Sequence, residues 1–345
     1  MEKGKKGDCH LFRFFHLSPF LPVQLYCTDS RFWLEKMVTV TLFLSFFTDI
    51  FCMKAKNGKK GDSHLFDVQS QADDREIPLA KVGVKGLEYP IRVLDKAKGT
   101  QYTAAKADLF VNLPHHFKGT HMSRFVEVFH RYREDLSMPR FLEMLDEIRV
   151  DLRAESAFGV LEFPYFVEKA APVSGVSGII ACKCRYQGRV SAEKGDNQKG
   201  DSHHFQESGK KGDSHHFSHF SVAVAVPVST VCPCSRAISE RGAHNQRGIV
   251  TVELEMGPFF WLEDIISLVE DCASSPVYSV IKREDEKFIT ERAYDNPRFV
   301  EDLVREVYGR LRDLGKFPRF SVEAENFESI HNHSAYAYAE YSPKR

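Results

Sequence analysis

A chain of 345 residues has material for two domains or one large one, with a substantial core. Hydrophobic residues at 43% and charged residues at 28% are ordinary globular proportions, and a net charge of −1 excludes a general nucleic-acid binder. Any anionic ligand must therefore be met by a local cluster of basic groups, and eight irregularly spaced cysteines fit reduced thiols in a cytoplasmic protein rather than a disulfide scaffold.

The N-terminal region carries an apolar run of 15 residues, Val38–Cys52, which is interrupted by Asp49. A membrane span needs about 20 apolar residues, and a secretory leader would start earlier and end in a small-residue cleavage site. Neither pattern is met, so no membrane association is expected. A short motif recurs irregularly: KKGDCHLF at 5–12, KKGDSHLF at 59–66, KGDSHHF at 199–205 and KKGDSHHF at 210–217. Copies this short bury nothing, and their placement lacks the fixed period of a solenoid. The codons for Gly-Asp-Ser-His and Gly-Asp-Cys-His can be written as the two strands of one near-palindrome. That points to a translated mobile DNA element rather than to a metal site on His64, His203, His204, His215 and His216. Residues 1–66 are expected to be a poorly ordered extension, and 194–217 a flexible insert.

The remainder has two similar halves, 67–193 and 218–345. In the first, 81–95 and 100–113 read as strands rich in β-branched and aromatic residues. Helices are expected over 123–134 and 138–152, where apolar groups recur at i, i+3, i+4 and i+7. Ser123 and Ser137 suit N-caps, and Pro139 suits a first helical turn. Strands at 156–170 and 178–192 follow. The second half repeats the order, with strands at 218–230 and 248–257, helices at 262–273 and 297–313, and strands at 319–327 and 334–341. The order ββααββ, twice, predicts an α+β architecture of antiparallel sheets with helices on one face.

Candidate chemistry centres on VCPCSRAISERGAHNQRG, 231–248. In an extended segment residues i and i+2 share a face, so Cys232 and Cys234 are expected to look into one site. His244 follows where Gly242 lets the chain bend back. The spacing is not that of a zinc finger, and read alone a Cys-x-Cys at a strand end is commonly core packing.

The words that lift it above packing are DVQ (67–69), KVGVKGLEYPI (81–91), KGTHMSRFVE (118–127), LEFPYFVEK (161–169), CPCSRAISERGAHNQRG (232–248), TERAYDNPRFVED (290–302) and ESIHNHSAYA (328–337). With these in order across about 275 residues, the chain resembles the type IB GTP cyclohydrolases. The resemblance implies two tandem tunnelling-fold modules, a homotetramer with sites at subunit interfaces, and conversion of GTP to 7,8-dihydroneopterin triphosphate and formate, which opens folate and pterin synthesis. It also implies a divalent metal (Mn, Fe(II) or Zn) held by Cys232, His244, Glu286, His331 and His333. Cys234 is expected as a second catalytic thiol, although the two cysteines could exchange roles. Glu301, at a helix start, is expected to accept hydrogen bonds from the guanine N1–H and 2-amino edge. Lys118, His121 and Arg124 form a basic cluster ahead of a helix, and Arg236 and Arg247 flank the thiol motif; these are the candidates for the triphosphate. Read alone, each is surface charge, Glu286 in REDEKF is a solvated run, and His331-x-His333 is an exposed pair. Competing readings are an archaeal-type relative giving a cyclic phosphate product, a nitrile reductase using a nucleophilic cysteine, and a non-catalytic pterin-binding protein.

Overall fold

The computed structural model describes residues 69, 71–115, 117–192 and 216–343, without the side chains of 216 and 217. The extension, the core of the insert and most of the repeat copies lie outside the described residues. Strands β1 (Leu79–Asp95) and β2 (Gly99–Leu113) form a hairpin, followed by helices α1 (Met122–Tyr132) and α2 (Met138–Asp151) and strands β3 (Ser156–Ala170) and β4 (Ser177–Ala192). The second half runs β5 (His216–Val231), α3 (Pro233–Ile238), β6 (Asn245–Glu255), α4 (Leu262–Cys272), β7 (Ser275–Pro276), α5 (Arg283–Asp295), α6 (Val300–Leu314), β8 (Phe320–Phe327) and β9 (Ala335–Tyr341). All strand pairs are antiparallel, and the sheet order is β1-β2-β3-β4-β5-β6-β8-β9, with β7 paired to β5. The α+β class and the doubled ββααββ order are as expected. The two modules share one sheet, because β4 pairs with β5 from Lys183↔Ala225 to Ala192↔His216.

Sequence periodicity dictates which face is covered. On β5, Phe220, Val222, Val224, Val226 and Val228 alternate into the core, as do Val250, Val252 and Leu254 on β6. They meet Phe125 and Phe129 of α1, Phe141 and Leu145 of α2, Ile265 and Val269 of α4, and Leu303 and Val307 of α6, all in one contiguous core. Each such side chain, fully removed from water, stabilises the fold by about 1.5–3 kcal/mol. The opposite strand faces are polar: Ser221 Oγ donates to Glu253 Oε1 at 2.9 Å, and Arg185 Nη2 donates to Glu253 Oε2 at 3.2 Å. Two glycines decide how closely α2 approaches. Gly159 and Gly188 are paired across β3 and β4, and a Cβ on Gly188 would lie 2.9 Å from Phe141 Cε1 and 3.0 Å from Leu145 Cδ1.

Three local expectations are corrected. α1 begins at Met122 with His121 as N-cap, so Ser123 lies inside the first turn. Ser137 does precede α2 and Pro139 does fall in its first turn. Two helices were not anticipated, α3 and α5. Their sequences lack an apolar stripe: α3 buries no residue, and α5 buries only Asp285 and Ala293. β5 also begins at His216, so its strand absorbs the last two residues of the expected insert.

Strand β4 leaves β5 beyond Lys183, and β7 takes up the vacated edge at Val228↔Pro276 and Ser229↔Ser275. The outer part of the β3–β4 hairpin thus becomes an arm that lies against the segment leading into α5.

Candidate active site

Strand direction sorts the candidate residues. The register Lys106↔Glu162, Lys183↔Pro164, Lys183↔Ala225 and Val231↔Asn245 puts the C-terminal ends of β3, β5 and β8 at one end of the sheet. The connections Cys232–His244 and Glu328–Ser334 therefore leave from the same end, on neighbouring strands. Arg298 N–H donates to Val231 O at 3.0 Å, which brings the N-terminus of α6, and Glu301 in its first turn, to this end as well. The tip of the β3–β4 arm contacts Asp285, so Glu286 of α5 joins the group. Cys232, Cys234, His244, Glu286, Glu301, His331, His333, Arg236 and Arg247 all belong to this end.

The thiol segment is not extended as the spacing suggested. Pro233 starts α3, and its fixed φ suits the first helical position. Cys232 becomes the N-cap, with Sγ accepting from Ser235 N–H at 3.5 Å, whereas Cys234 lies in the first turn. Helical geometry turns them apart, so Cys232 is half-buried and Cys234 is exposed. Ser235 staples the loop: its Oγ donates to Cys232 O at 3.1 Å and accepts from His244 N–H at 3.2 Å. Cys232 N–H donates to His244 O at 3.1 Å, so the thiol and the imidazole share one closed backbone ring.

His244 is oriented from behind. Its Nδ1 lies 3.1 Å from Gln246 Oε1, and Gln246 Nε2 donates to Thr230 Oγ1 at 3.0 Å. Gln246 and Thr230 are buried, which gives this relay a fixed geometry. The Gln246 carbonyl oxygen accepts only, so it selects the tautomer protonated on Nδ1 and leaves the Nε2 lone pair for a ligand. Glu328 Oε2 is 3.8 Å from the same Nδ1.

His331 and His333 sit in the β8–β9 turn, and they are exposed. Their rings stack, with centroids 5.1 Å apart and planes at 18°. Glu286 is exposed in the first turn of α5. Among the described residues, no three His, Cys, Asp or Glu side chains come together as a metal-binding group. The five expected ligands are gathered at one end of the sheet but do not converge within this chain. Glu301 is exposed in the first turn of α6, where the backbone cap is made by its neighbour: Phe299 N–H donates to Asp302 Oδ2 at 3.2 Å. Arg236 stacks over the Tyr294 ring at 4.7 Å and lies 3.8 Å from Asp295, tying α3 to the last turn of α5. Arg247 is exposed at the start of β6.

The other basic candidates lie elsewhere. Lys118, His121 and Arg124 follow β2, whose C-terminal end is opposite the thiol end. Arg124 is committed locally, its Nη1 donating to Asp151 O at the C-terminus of α2 at 2.8 Å. The length of β5, 16 residues, separates the two ends by roughly 50 Å. One chain does not bring this cluster to the thiols.

Sequence reasoning missed Ser235, Gln246, Glu328 and Asp285. Gln246 was readable in principle, since His244 and Gln246 stand at i and i+2 where β6 begins. Glu328 carried no local signal because its partner is distant in sequence, and Asp285 carried only the capping contact to Lys282, its other partners Val173 and Ser174 being distant.

No helix among the described residues is long and apolar enough to cross a membrane; the Val38–Cys52 run lies outside them. Among solved structures, uricase from Arthrobacter globiformis aligns with 76% of this chain and 93% of that chain, at 5% identity and a TM-score of 0.41. The chain is 51% identical over 276 residues to the GTP cyclohydrolase FolE2 of Syntrophus aciditrophicus (strain SB), covering 80% of this chain and 99% of that protein. It is 48% identical over 273 residues to the GTP cyclohydrolase FolE2 of Geotalea uraniireducens (strain Rf4), covering 79% of this chain and 92% of that protein. The sequence model for the type I GTP cyclohydrolase folE2 matches residues 65–337. With that match spanning both modules and every candidate thiol, imidazole and carboxylate from Cys232 to His333, the chain belongs to the type I GTP cyclohydrolase FolE2 family.

Proposed function

We propose that this protein is a metal-dependent GTP cyclohydrolase that converts GTP to 7,8-dihydroneopterin triphosphate and formate, supplying folate synthesis. The observation that carries the reading is the gathering of two thiols, three imidazoles and two exposed carboxylates at one end of the sheet.

Cys232, His244, Glu286, His331 and His333 would hold a divalent ion, and their mixed thiolate, imidazole and carboxylate donors suit Zn, Fe(II) or Mn. The donor chemistry fits, and the Gln246 contact already presents His244 with its Nε2 lone pair free for coordination. Such an ion would lower the pKa of water toward neutrality and polarise C8 of guanine. Glu301 holds the ring by accepting from its N1–H and 2-amino group, and Asp302 leaves it free to do so by capping α6 itself. Cys234, which is exposed to solvent, would move a proton as the imidazole ring opens. Glu328 offers a second acceptor on the Nδ1 side of His244.

Lys118 and His121 lie at the far end of the sheet, so in this reading they meet the triphosphate bound at the thiol end of a second copy, and the homotetramer brings them there. Arg247 serves the triphosphate from the thiol end, and Arg124 acts chiefly by fixing the α2 terminus on which that cluster rests. Purified full-length protein reconstituted with Mn2+ or Fe(II) and given GTP should release formate and a fluorescent pterin after oxidation, and a chelator should stop it. Turnover in metal-free protein, or a cyclic phosphate product, would overturn the reading.

A further inference from the structure

Helix α5 carries Glu286 yet has almost nothing apolar to dock it. Of its 13 residues only Asp285 and Ala293 are buried. The first turn is located instead by the side chain of Asp285, which is completely buried. Its Oδ1 accepts from Val173 N–H at 2.8 Å and Ser174 N–H at 2.9 Å, and its Oδ2 from Ser174 Oγ at 2.5 Å and Lys282 N–H at 2.8 Å. Four donors fill the acceptor capacity of a carboxylate, so Asp285 has nothing left for a ligand. Three of the four come from the tip of the β3–β4 arm, which belongs to the first module.

The arm is itself braced against the segment before α5. Lys169 Nζ donates to Glu270 Oε1 at 2.6 Å and to Val277 O at 3.2 Å. Gly178 lies so close to the next turn that a Cβ there would sit 2.3 Å from Ser279 Oγ.

We propose that Asp285 is a positioning residue: by clasping the first-module arm it fixes the first turn of α5 and so sets where the adjacent Glu286 carboxylate points. The inference rests on the reading of Glu286 as a metal ligand. A first turn located by one carboxylate rather than by an apolar stripe shifts when the clasp is loosened, even with the last turn held by Arg236, and the cost falls on Glu286. Outer-shell partners of metal ligands are typically worth about 10–100-fold in metal affinity.

The test uses full-length, metal-stripped protein titrated with Mn2+, following free Mn2+ by EPR, with thermal unfolding of each apo variant measured alongside. Asp285→Asn is expected to weaken Mn2+ binding by about 10–100-fold. Ser174→Ala, which removes one of the four donors, should weaken it by about 3–10-fold, and Ser174→Thr, which keeps the hydroxyl, should restore it. A purely structural role would lower the unfolding temperature of these variants and leave Mn2+ affinity unchanged, which would overturn the proposal. Glu286→Gln separates the two readings. If it weakens Mn2+ binding while folded Ser174→Ala and Asp285→Asn do not, the positioning role is wrong. If Glu286→Gln itself binds Mn2+ normally, the ligand reading fails and the proposal falls with it. Should Asp285→Asn not fold, the Ser174 pair decides alone.

Discussion

His244 Nδ1 and Gln246 Oε1 lie 3.1 Å apart at the start of β6, with the glutamine buried and its amide held by Thr230. The imidazole that flanks the thiols is thus oriented by the strand that follows it.

Replacing Gln246 by Leu removes the acceptor and leaves the Thr230 hydroxyl buried without its partner. We expect a loss of about 1–3 kcal/mol in stability by urea unfolding, and a fall in Mn2+ affinity of about 10–100-fold. Gln246→Glu keeps an acceptor facing Nδ1 and should recover most of the Mn2+ affinity. Equal loss of Mn2+ affinity in both variants would remove the acceptor role assigned to Gln246.

Glu301 is exposed and makes no essential cap, since Asp302 performs that task. Glu301→Gln should therefore abolish most GTP turnover while changing stability by no more than the roughly 0.3–1 kcal/mol of a helix-terminus charge. Near-normal kinetics in this variant would remove its role as guanine anchor.

The basic cluster and the thiols occupy opposite ends of one sheet, so an active site that uses both must draw on two chains. Cys234→Ala and Lys118→Ala should each be nearly inactive alone. Co-expressed, they should regain up to about a quarter of wild-type activity, because one in four mixed sites receives both intact ends. Absence of any recovery in verified hetero-oligomers would place the site within a single chain.

Gly188→Ala pushes a methyl against Phe141 and Leu145, both fully buried. Overpacking of this kind costs about 1–3 kcal/mol. The variant should show a lower denaturation midpoint with metal affinity unchanged, since α2 packs at a distance from the thiol loop.

The repeat-derived segments should be dispensable. β4 and β5 pair to Ala192↔His216, so a short turn in place of 193–215 would close the same hairpin. We expect a chain lacking 1–52 and carrying that turn to fold and to hydrolyse GTP. Loss of the folded core would show that one of these segments belongs to a module.

Periodicity carried most of the fold. Alternation in β5 and β6 and the apolar stripes of α1, α2, α4 and α6 each bury one face, and a pattern that buries a face is legible because the hydrophobic effect acts residue by residue. The motif words carried the family and the residue types of the site. Helices α3 and α5 escaped because their positions are set by a few specific contacts, Pro233 beside the Cys232 cap, Arg236 on Tyr294 and Asp285 on the first-module arm, and such contacts leave no period. The facing of Cys232 and Cys234 was misread for the same reason: the spacing i, i+2 means one thing in a strand and another in a helical turn, and Pro233 chose the turn. Only the tertiary structure could set Gln246, Glu328 and Asp285 beside their partners and put Lys118 and His121 at the far end of the sheet from the thiols. Those relations depend on strand direction and register, which pairing between distant segments decides.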